Sequence, residues 1–145
     1  MTSTATKKIW EPIDFSVYFI FIRWPVLAAI LIEIIFRAST MGLSDSLIAD
    51  NREIMIWVWR VLVFIFLGWR TLKNFGRSSG IAVVTGLTSG LIIGLVAALS
   101  RFIEGFKVWK IFNVLTETAW VAIAGLIITV IAAYLLSLIK FKNNN

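Results

Sequence analysis

The chain has 145 residues and a net charge of +6; 59% of it is hydrophobic and only 15% charged. A water-soluble domain averages about 45–50% apolar and about 25% charged residues, so with a mean hydropathy of +0.91 lipid is the expected solvent. There is no cysteine and no histidine, which excludes disulfides, thiolate chemistry, Cys/His metal or haem ligation and every Ser-His or Cys-His nucleophile pair; no cofactor, metal site or enzyme activity is expected.

The N-terminal "MTSTATKKIWEPID" puts two lysines before an apolar run. That run is too long for a signal peptide and lacks a small-residue cleavage site, so the first span is expected to be kept as an anchor. Four apolar segments follow, at about 13–36, 54–72, 80–100 and 119–139. Each can cross a hydrocarbon core of about 30 Å as a helix, and no ten-residue alternating strands of a barrel appear. The expected fold is all-α: one integral membrane domain over 1–145, with four transmembrane helices in a compact antiparallel bundle and one or two short interfacial helices.

Span one carries Arg23, Glu33 and Arg37. Glu33 and Arg37 are four residues apart and share a helix face. Arg23 leaves two possibilities. It faces the bundle interior or another subunit, or the helix kinks or breaks at Pro25, a residue suited to a helix start. In the second case residues 9–24 lie in the interface and the span shifts to about 25–43. The link "ASTMGLSDSLIADNRE" is polar and acidic. Span two carries Arg60. About the centre of the first hairpin, Glu33 and Arg60 differ in depth by about 4–5 Å at 1.5 Å per residue. They are within an arginine's reach. Unpaired charges at such depth are expensive, and ionisable residues within a span are functional candidates by default, so Glu33, Arg37, Arg60 and Arg23 form the candidate charge cluster.

Span three, "GIAVVTGLTSGLIIGLVAALS", places Ala82, Gly86, Gly90, Gly94 and Ala98 at intervals of four. This glycine-zipper, small-xxx-small stripe lets another helix approach closely. Thr85 and Ser89 lie beside it and could hydrogen-bond across. Span four has a shorter version in Gly125, Thr129 and Ala133. The stripe can pack within one chain or pair two copies. Between spans three and four, Phe102, Phe106, Trp109 and Phe112 recur at helical spacing among lysines, which predicts an interfacial helix over about 102–115. Most of the seven tryptophans fall near span ends, where they anchor the chain at the headgroups.

The side with both termini and the second link carries seven Lys and Arg against five on the other. The expected location is therefore the plasma (inner) membrane with N- and C-termini cytoplasmic. The basic residues form no cluster for nucleic acid. Expected partners are the lipid bilayer and either other membrane subunits or copies of the chain, in a structural or accessory role. A second possibility rests on the stretch "AAILIEIIFRASTMG". It resembles the first span of the small multidrug resistance family around its essential glutamate. The resemblance covers about 15 residues of the sequence and implies a proton-coupled transporter in which Glu33 binds proton and cation in turn. The chain departs from that family in starting its first span later and in lacking the Pro-Thr-Gly entry and embedded tryptophan. A third possibility is a small ion channel, with Arg23, Arg60, Thr85, Thr88 and Ser89 on one lumen.

Overall fold

The computed structural model describes residues 15–39, 46–76, 79–103 and 110–142. They form four helices: α1 (Phe15–Ser39), α2 (Ser46–Phe75), α3 (Ser79–Ile103) and α4 (Lys110–Lys142). No strand occurs among the described residues. Each helix contains a stretch long and apolar enough to cross a membrane: Phe19–Ser39, Asn51–Phe75, Gly80–Ser100 and Phe112–Ile139. The chain is thus an all-helical membrane protein built as a four-helix bundle. The outward faces are apolar, as in Leu27, Leu31, Ile123 and Ile127; with lipid as solvent, apolar surface needs no cover.

Helices two and four begin earlier than the hydropathy suggests. The polar run after residue 45 continues as helix into span two, and residues 110–118 do the same for span four. The interfacial helix expected over about 102–115 falls in part outside the described residues. Ile103 belongs to α3 and Lys110 opens α4, while residues 104–109 lie outside the described residues. The break expected at Pro25 is absent, since α1 runs through it. Proline removes one N–H and crowds the preceding turn. Here Phe21, Ile22, Val26 and Ala29 are all buried in the common core, so packing ties down the helix on both sides of the proline.

α3 is the most enclosed element, with half of its span buried. α4 packs against α3 and α2, and α1 packs against α2 and α3; among the described residues α1 and α4 do not meet. α2 ends on Gly76, whose φ of +69° and N–H bond to the Leu72 carbonyl at 3.1 Å make a left-handed cap that glycine accepts without penalty.

The small-residue stripe of α3 faces α4 of the same chain. A Cβ on Gly86 would lie 2.6 Å from the Gly125 carbonyl oxygen, and one on Gly90 would lie 2.7 Å from Ala122 Cα. One on Gly94 would meet Thr118 Cα at 3.0 Å. The contacts descend α4 as α3 ascends, backbone against backbone. Gly68 of α2, which lies in no small-residue series, makes a similar approach: a Cβ there would sit 2.7 Å from the Thr129 carbonyl oxygen. Ala82 and Ala98 are buried at the two ends of the stripe. The hydroxyls do not act as expected. Ser89 donates to the carbonyl of Thr85 in its own helix at 2.6 Å, the back-bonding available to any helical Ser or Thr. Thr129 does cross, donating to the Phe64 carbonyl of α2 at 3.4 Å.

Candidate functional site: a string of alternating charges

The buried face of α1 runs through Ile22, Val26, Ala29, Glu33 and Arg37, at steps of three and four. The helical period therefore carries two charged residues into the interior together with the core. The buried face of α2 likewise includes Ile56, Arg60, Phe64, Leu67 and Thr71. Arg60 lies nine residues inside Asn51, where its span begins, a depth of about 13–14 Å. Its residual exposure is 1%, and that of Glu33 is 4%.

These two meet directly. Arg60 Nη2 donates to Glu33 Oε1 at 2.7 Å and Arg60 Nε donates to Oε2 at 3.2 Å, the two-pronged fork that guanidinium and carboxylate geometry favours. Arg37 Nη2 and Nε both donate to the same Oε1, at 3.0 and 3.2 Å. Glu33 is thus gripped from its own helix and from α2. The guanidinium of Arg60 also lies 5.1 Å from the ring centre of Trp57, where an aromatic face attracts a cation.

Two acids not singled out in the sequence join this pair. Arg37 Nη1 lies 3.5 Å from Glu53 Oε1, which is 3.7 Å from Arg52 Nη2. At the other end Arg60 Nη2 lies 3.9 Å from Glu117 Oε1 on α4. The result is a string, Arg52, Glu53, Arg37, Glu33, Arg60, Glu117, alternating in sign across α2, α1 and α4. Three guanidiniums face three carboxylates, so the string is neutral in sum. Every acidic side chain described is within 4.0 Å of an arginine. Such pairing is the condition for holding charge in a low-dielectric interior. The sequence signal for Glu53 was its spacing of seven residues from Arg60, two turns along one helix face, masked because it stood in a segment expected to be a link; Glu117, on another helix, carried no such signal.

Arg23 is not in this string. It is exposed and sits beside the Trp24 ring at 5.6 Å. Its neighbour Phe21 packs edge-on against Phe75, the last residue of α2, at 5.3 Å, with Arg70 above it at 4.8 Å. Arg23 is only about 3 Å further along the axis, so it belongs with Arg70 and Lys73 at one end of the bundle. The small residues Ala82, Gly86, Gly90, Gly94, Gly125, Thr129 and Ala133 stand apart from the charges, but Ala98 does not. It lines a cavity of about 640 Å³ together with Arg37, Arg52, Glu53, Trp57, Glu117 and Trp120. No known protein family, curated protein or solved structure matches this chain. No group of three potential metal ligands occurs among the described residues.

Proposed function

We infer that the chain is a structural or accessory subunit of a membrane assembly, or a self-associating membrane scaffold, with no chemistry of its own. The observation that carries this is the occupation of Glu33. Both its oxygens accept hydrogen bonds from arginines, four bonds in all. A carboxylate held this way fixes the rotation of α1 against α2. A glutamate that exchanges a proton for a cation, as in the small multidrug resistance family, needs at least one face open to its substrate. The ion-channel reading is weakened by facing. Arg60 is buried while Arg23 is exposed, and Thr88 and Ser89 donate to their own helix, so these groups share no lumen. The basic set Arg23, Arg70 and Lys73 at the end opposite the string favours that end, with both termini, on the cytoplasmic side of the plasma (inner) membrane.

Native mass spectrometry of the chain purified from its own membranes in mild detergent tests the reading. A fixed ratio to other membrane proteins, or one defined homo-oligomer, is the expected result. Exchange of the pair, Glu33→Arg with Arg60→Glu, should restore much of the thermal stability that either change removes alone. If instead each single change leaves stability intact and abolishes cation transport, Glu33 is a transport residue and the structural role is lost.

A further inference from the structure

The 640 Å³ cavity is of the size that encloses small ligands, about 300–1,000 Å³. Its walls carry both signs: Arg37 and Arg52 against Glu53 and Glu117, between the indoles of Trp57 and Trp120. A simple anion placed there meets two carboxylates, and a simple cation meets two guanidiniums. A zwitterion with its charges a few ångströms apart meets a partner for each. Behind the wall, Arg60 Nη1 is buried with no hydrogen-bond acceptor among the described residues.

A second space adjoins the first. An apolar groove of about 450 Å³ runs down α2 past Glu53, Ile54, Trp57, Val58, Val61 and Leu62. Glu53 and Trp57 are common to both linings. From Glu53 to Leu62 the helix rises about 13–14 Å, close to half of a hydrocarbon core of about 30 Å. The groove therefore has the depth of one leaflet and starts at the polar cavity. Trp57 and Trp120 both line the cavity, and Trp120 is 64% exposed.

We propose that cavity and groove together bind one phospholipid with a zwitterionic, primary-amine headgroup, of the phosphoethanolamine type. The phosphate lies against Arg37 and Arg52, the ammonium donates to Glu53 and Glu117, and one acyl chain follows the groove. Carboxylates select the primary amine, because a quaternary ammonium has no N–H to donate. The net neutrality of the lining selects against anionic lipid.

The test uses the full chain in detergent micelles doped with equimolar phosphatidylethanolamine, phosphatidylcholine and phosphatidylglycerol of identical acyl chains, read by native mass spectrometry. One retained lipid per chain is expected, with phosphatidylethanolamine enriched about tenfold, the effect of one charge-assisted hydrogen bond. Glu117→Gln should weaken the preference for the amine, Glu53→Gln together with Glu117→Gln should erase it, and Arg52→Gln should lower retention of every phospholipid. Val58→Trp, at a half-exposed position outside the charge string, should fill the groove and lower retention without changing the order of headgroups. It keeps the test valid where a charge variant does not fold. Soluble glycerophosphoethanolamine should fail to displace the lipid. Displacement by it at equal concentration would make the site one for a free zwitterion and overturn the lipid assignment. Retention in proportion to supply, or a preference for phosphatidylglycerol, would overturn the site altogether. The outcome is independent of whether the chain is an assembly subunit.

Discussion

Where α3 meets α4, Gly86, Gly90 and Gly94 bring backbone against backbone. Where α1 meets α2, Glu33, Arg37 and Arg60 bring charge against charge. Lipid tails are as apolar as leucine, so hydrophobic burial does not hold either pair together. The first contact depends on distance alone and uses dispersion, which many close atoms share. The second depends on identity and uses a few strong bonds in a low dielectric. The first should therefore fail when something is added, and the second when something is taken away.

The largest expected effect tests the second half of this contrast. Glu33→Ala leaves Arg37 and Arg60 inside the span without their shared carboxylate, at a cost of about 3–5 kcal/mol. The unfolding midpoint in an SDS titration measures it. A loss below about 1 kcal/mol would mean that Glu53 and Glu117 take over the guanidiniums. Next is addition at the seam. Gly90→Ala sets a methyl at 2.7 Å from Ala122 Cα and 2.8 Å from the Val121 carbonyl oxygen, and should cost about 1–3 kcal/mol as the helices part. A neutral result in the same titration would mean that α3 and α4 are free to slide.

A smaller effect is expected from Thr129→Val, which removes one long hydrogen bond to Phe64. Hydrogen bonds between membrane helices average about 0.6 kcal/mol, so the midpoint should fall by an amount just resolvable. The smallest is Arg23→Gln. Arg23 is exposed and outside the string, and the change should stay within about 0.5 kcal/mol. A loss approaching that of Glu33→Ala would show Arg23 to be held by a partner in the membrane.

Much of both contacts is visible in the residues alone, for different reasons. The stripe repeats every four residues, and a helix turns that repeat into a face. Glu33 and Arg60 lie at similar distances from the centre of the first hairpin, and a fixed rise per residue turns distance into depth. Glu53 and Glu117 escaped because they stand in polar stretches that read as links. Whether a polar stretch continues a helix depends on what packs beside it. Gly68 escaped because one glycine in a span has no period. Thr85 and Ser89 could have bonded across the seam, but Ser89 bonds within its own helix and the Thr85 hydroxyl has no partner among the described residues; such choices are made by distances that local sequence does not contain.

The sequence by itself determined that this is a helical membrane protein with four spans, that Glu33 and Arg60 stand at similar depth within theirs, and which faces are smooth. Those properties follow from side-chain polarity and helical geometry, and both are local. Only the tertiary structure decided that α1 continues through Pro25, that Arg23 lies level with the end of α2, and that Glu53, Arg52 and Glu117 extend the pair into a neutral string beside a cavity. Each of these depends on how far one helix slides and turns against another. That slide and turn are set by the summed packing of whole helix faces and by no residue alone.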